Sequence, residues 1–367
     1  MSLPRHLRAA LAALALCLAM LGANAGAEPR QLNILGWGDY FDPRVLDEFT
    51  AATGVRIMYD TYATREALEA RLRTTGDYDL LVIPGPALRT LIAAGALQKL
   101  DRLKLSNFNN LWPEIMARLG AFDPGNQYAA AYLWATEGLA FDVEQAKAKL
   151  GQGPPDSLDL LFRPDRVAPF VECGVSVPDS AEELFALALR DLRLDPGSKN
   201  PSDLRRAADL LAVMRRNVKK LNAADSAGAL ANGDVCLALA SSGDAQQARA
   251  RAREAGAGVD IGYAIPREGT LISIDALAIP KNAPHAEAAL AFINFLLRPE
   301  IAARNTNATK FANGVLASKP LIARDIAENK SIYPDAAVME RLFAAPSVDA
   351  ATQKFISREW TRIKTGK

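Results

Sequence analysis

Residues 32–84 alternate between strand-like and helix-like stretches in a way that leaves few folds open. Leu32, Ile34 and Leu35 form an apolar run without strict two-residue alternation, the mark of a strand covered on both faces. Asp42-Pro43 opens a helix carrying Val45, Leu46 and Phe49 on one face and Gly54 past its end. Pro suits a first helical turn, and Gly suits the left-handed residue that follows a last one. A second strand over 55–59, a second helix over 65–73 and a third strand over 78–84 follow. Five alternating elements within about 55 residues predict a parallel sheet with right-handed crossovers. The class is α/β.

In an open α/β sheet, ligands sit at the carboxyl ends of the strands. The first strand ends in Gly36-Trp37-Gly38-Asp39-Tyr40. A Trp, a carboxylate and a Tyr on glycine-loosened backbone suit a ligand that is cationic and partly apolar. The plain alternative makes Trp37 and Tyr40 core aromatics and Asp39 a turn residue. Further along, residues 128–141 read as two extended pieces joined at 134–138, able to carry the chain from one lobe into another. A helix over 181–192 begins with Glu182 and Glu183, and a strand over 235–240 runs into Ser241-Ser242-Gly243-Asp244 and a helix. Strands over 259–265 and 272–279 follow, the second bearing Ser273 and Asp275. Asp39, Glu183, Asp244 and Asp275 could serve a glycosidase or a divalent metal, or be unrelated capping and surface acids. No phosphate-binding glycine loop accompanies them.

The length of 367 residues allows two lobes with substantial cores. Arg5 and Arg8 precede an apolar stretch over 9–21 and then small residues to Ala27. That is the pattern of a secretory signal peptide over 1–25, cleaved after Ala25 or Ala27; the apolar run is too short to favour a membrane span. Export is expected. Removing the two leader arginines leaves 41 basic against 42 acidic residues, a balance that gives no reason to expect nucleic acid or an anionic membrane as partner. Two cysteines remain, Cys173 and Cys236. In an exported chain they read as a disulfide, with two buried free thiols as the alternative. The single remaining histidine, His285, argues against a catalytic triad or a histidine zinc site. No metal or cofactor is expected.

The ordered segments WGDY, YDLLVIP, AYLWATEGLAFD, CGVSVPDSAEELF, LANGDVCLALASSGD, ISIDALAIP, AFINFLLRP and KFANG resemble the periplasmic putrescine- and spermidine-binding proteins of bacterial ABC transporters. The resemblance covers about residues 30–367. It implies a two-lobed periplasmic binding protein fold, each lobe a mixed sheet flanked by helices, joined by hinge strands. One lobe would comprise 28–135 and 261–311, the other 136–260 and 312–367. It also implies a monomer without enzymatic activity that takes a small cationic amine in an interlobe cleft and delivers it to an inner-membrane ABC permease. Carried over, it places Trp37, Asp39, Tyr40, Glu183, Asp244 and Asp275 in the cleft, with Asp244 and Asp275 on one ammonium end. Cys173 and Cys236 fall where the putrescine binders of the family carry a disulfide.

Five cleft positions depart from that pattern. The family's putrescine binders have Trp where this chain has Ser241, Phe where it has Ser273 and Tyr where it has Phe311. They have serines at Gly38 and Gly85. Acids retained between trimmed walls imply a polyamine or a bulkier cationic nitrogen compound or amino acid. An exported hydrolase using paired carboxylates is the reading from another class.

Overall fold

Strand β1 (Gln31–Trp37) lies between β2 (Arg56–Tyr62) and β3 (Leu80–Pro84), parallel to both. This computed structural model describes residues 30–74, 77–151, 153, 155–222 and 226–366; the leader expected over 1–25 lies outside them. Leu32, Ile34 and Leu35 are fully buried, as a central strand requires. The helix Pro43–Thr53 starts where Asp42 accepts the Arg44 N–H, and stops at Gly54 in left-handed backbone.

The sheet continues antiparallel from β3 to β9 (Leu271–Ala278), and from β9 to β4 (Ala129–Asp142). Two extended pieces were expected over 128–141; the chain instead makes one strand of 14 residues with a register shift between Ala131 and Trp134. Its first part, through Thr136, pairs with β9. From Glu137 onward it pairs with β7 (Leu237–Ser241), and from Leu139 also with β8 (Ile261–Ala264). Beyond β7 lie β5 (Val175–Pro178) and β6 (Lys220–Asn222), both parallel. One unbroken strand thus belongs to two sheets.

The apolar side chains divide at the same place. One core takes Leu32 through Ala135 and Ile272 through Leu342. The other takes Leu139 through Leu271 with Ile356, Trp360 and Ile363, beside a smaller alanine-rich cluster that includes Ala240 and Ala245. The division expected from sequence put 261–311 with the first lobe and 312–367 with the second. Packing distributes them otherwise. β8 pairs with β4 in the second lobe, whereas Val315, Ile326, Tyr333 and Leu342 pack in the first core. Tyr333 meets Trp134 edge-on at 5.9 Å, and Trp134 donates Nε1–H to the Asn313 carbonyl at 3.0 Å. Only the last helix, Ala350–Thr365, returns to the second core.

Cys173 and Cys236 form a disulfide, their Cα atoms 5.6 Å apart, just ahead of β5 and β7. Among the described residues no helix is long and apolar enough to cross a membrane.

Candidate functional site

The end of β1, the middle of β9 and the starts of two second-lobe helices enclose a cleft of about 1150 Å³. Every residue that the family resemblance put in the cleft, or marked there as a departure, lines it: Trp37, Gly38, Asp39, Tyr40, Gly85, Glu183, Ser241, Asp244, Ser273, Asp275 and Phe311. Among its described lining residues eight are acidic, and two, Arg251 and Lys364, are basic. Lys364 is occupied by Asp179 at 2.9 Å.

Asp275 is the most buried of these acids, 7% exposed. Tyr40 donates its hydroxyl to Oδ2 at 2.7 Å, and Trp37 donates Nε1–H to Oδ1 at 3.1 Å. Burial is the largest influence and pushes the Asp275 carboxyl up to about 6; the two donors act against it, and the charge of Asp244 adds to it. The donors are fixed in turn. The Tyr40 ring lies 4.9 Å from Phe311, and the Trp37 ring 4.4 Å from Tyr62. Tyr62 donates to the Val82 carbonyl and Tyr59 to that of Trp37. Burial above all drives the Tyr40 hydroxyl well above its usual range, so it stays a donor.

Asp39 lies exposed at the cleft edge in left-handed backbone, φ 55°, a conformation Asp adopts more readily than most residues. Glu183 stands in the first turn of the helix Ala181–Asp191, and Asp244 in that of Ser242–Glu254. Helix N-termini favour such charges. Ser241 caps the second helix: its hydroxyl accepts the Asp244 N–H at 3.1 Å and lies 2.7 Å from Asp244 Oδ2, to which it donates. Ser273 reaches the Ala135 carbonyl at 3.4 Å.

The two glycines differ. Nothing stands within 4 Å of a Cβ built at Gly38, whereas one at Gly85 would run into the Phe122 ring. Gly85 is thus required by packing, besides lining the cleft.

Sequence reasoning passed over Glu137. It lines the cleft on β4 as the first residue to pair with β7. Burial, then the charges of Glu183, Asp244 and Asp275, hold its carboxyl well above the usual range. The available signal was its position as the only charged residue between Asp123 and Asp142. His285 pairs with Asp79 at 3.1 Å, away from the cleft lining. No group of His, Cys, Asp and Glu among the described residues is arranged to hold a metal ion.

Comparison with known proteins gives a consistent picture. The family model described as bacterial extracellular solute-binding protein matches residues 44–330. The putrescine-binding periplasmic protein SpuD of Pseudomonas aeruginosa is 40% identical over 359 residues, covering 97% of this chain and 98% of its own. A spermidine/putrescine-binding periplasmic protein of Escherichia coli is 32% identical over 365 residues, 99% of each chain. The solved structure of the spermidine/putrescine ABC transporter substrate-binding protein PotD from Streptococcus pneumoniae superposes with a TM-score of 0.79 at 27% identity, covering 92% of this chain and 99% of that one.

Proposed function

The chain belongs to the bacterial extracellular solute-binding proteins, and we propose that it captures a polyamine in the periplasm and hands it unaltered to an inner-membrane ABC permease. The observation that carries this reading is Asp275: a carboxylate buried at the cleft floor, gripped by Trp37 and Tyr40, and facing the acids of the other lobe. A protonated amine leaving water needs charge-assisted acceptors, and aromatic faces beside them cover its methylenes.

In this reading Asp39, Tyr40, Trp37 and Asp275 act from the first lobe and Glu183 and Asp244 from the second. The acids repel one another while the cleft is empty. A polycation removes that repulsion, and only an arrangement that brings both lobes to the ligand lets all of them contribute. Ligand is thereby coupled to closure.

A thermal-shift panel tests the proposal. A polyamine at one hundred times its dissociation constant adds about 2.7 kcal/mol of stability. Putrescine, spermidine or a close analogue should raise the melting temperature. A panel in which no polyamine moves it, while another class of cationic amine does, replaces the ligand and keeps the fold.

A further inference from the structure

Among the described residues the Glu137 side chain, unlike its backbone, does nothing visible for the fold. Side chains along a strand alternate between its faces. Thr136 Oγ1 lies 3.0 Å from the Tyr263 hydroxyl, which donates to the Thr136 carbonyl at 2.6 Å. A Cβ at Gly138 would stand 2.5 Å from that same hydroxyl. Thr136 and Gly138 therefore face Tyr263, and Glu137 faces the other way, into the cleft. There its partner across the strands is Ser241, the residue that holds Asp244.

Asp275 has two donors and Asp244 has Ser241. The half-buried Glu137 carboxylate has neither a hydrogen bond nor an ion pair among the described residues. The carboxylates that act on it, from three separate elements, are Glu183, Asp244 and Asp275, and each makes its charge more costly. In the empty cleft a proton relieves such a carboxylate, and a cationic group of a ligand can take that proton's place. The cleft lining around it also holds Asp39, Glu183, Asp244 and Asp275. A diamine brings two positive charges to them and a triamine three.

We propose that Glu137 receives a further positive charge of the ligand, and that it thereby makes the cleft select linear triamines over diamines. The proposal rests on the polyamine reading above.

Calorimetric titration of the purified protein with putrescine and with spermidine near neutral pH tests it, using wild type, Glu137→Gln and Glu137→Asp. Wild type should bind spermidine at least about tenfold more tightly than putrescine. Glu137→Gln should weaken spermidine about tenfold and move putrescine by less than about threefold, erasing the preference. Glu137→Asp should keep it. An unchanged preference in Glu137→Gln, or a wild type that favours putrescine, overturns the proposal.

Should the Gln variant lose its far-ultraviolet circular dichroism, wild type alone decides. Titrations in buffers of different ionisation enthalpy count the protons released, and spermidine should release more than putrescine. Asp275, Glu183, Asp244 and Tyr263 surround Glu137, but the first three meet both amines and Tyr263 lies behind the strand. Equal release overturns the proposal. If neither amine binds wild type, the polyamine reading falls and takes this one with it; if both bind and Glu137→Gln leaves their ratio alone, only the present inference falls.

Discussion

Tyr40 and Asp275 are 235 positions apart in sequence and 2.7 Å apart in space, hydroxyl to carboxylate oxygen. The bond joins the turn after β1 to β9, so the acid's direction is fixed before any ligand arrives. A pre-aimed carboxylate spares the ligand the cost of ordering it.

Replacing Tyr40 by Phe removes a donor that favours the charged form of Asp275. The ring still packs on Phe311. Folding stability should fall by about 1 kcal/mol or less, while affinity for a polyamine drops about tenfold at neutral pH. Denaturant titration and calorimetry read the two effects separately. Unchanged affinity would make Tyr40 a packing residue only.

The Asp275 shift gives a pH dependence with a definite sign. Its carboxyl titrates near 6 in the folded protein and near 4 in an unfolded chain. Between those values the unliganded fold holds a proton that the unfolded chain has lost, so stability declines as pH rises through the window, by at most about 3 kcal/mol. Affinity for a cation moves the other way, because the ligand meets the carboxylate. Below about pH 6 it should weaken by up to about tenfold per unit from this group, with protons released on binding. Titrations at several pH values check both slopes.

Phe311 belongs to the first core and Gly243 to the Ser242–Glu254 helix of the second lobe. A Cβ at Gly243 would stand 2.5 Å from the Phe311 ring. Gly243→Ala should therefore hold the lobes apart there. The expected outcome is affinity lower by about tenfold or more with a nearly unchanged unliganded melting temperature. Small-angle scattering should find the liganded variant more extended than liganded wild type.

Reducing the Cys173–Cys236 bond, which spans 63 positions, should destabilise the fold by up to about 4 kcal/mol on the chain-entropy model. Both cysteines lie in or against the second core. The denaturant midpoint in reductant is the measurement.

Much of this was legible in the chain itself. Local signals marked β1, its flanking helix and the glycine stop, because capping and burial leave residue-level traces. The disulfide followed from compartment and cysteine arithmetic, and the lining acids from a family-wide resemblance. Other features depend on distant partners. Gly85 reads as an open position until Phe122 is seen beside it. Ser241 reads as a lost wall until its hydroxyl is found capping a helix. Glu137 escaped notice because a lone acid in an apolar run shows its meaning only when β4 is known to cross between sheets. The lobe boundaries differ for a similar reason: residues 312–342 return to the first core through contacts such as Tyr333 on Trp134.

The most direct measurement is calorimetric titration of spermidine into wild type, Asp275→Asn and Asp244→Asn, one acid from each lobe. Wild type should bind. Asp275→Asn should lose about 2–5 kcal/mol of binding and Asp244→Asn about tenfold in affinity, both with wild-type circular dichroism. Binding of undiminished strength in both variants would contradict the account.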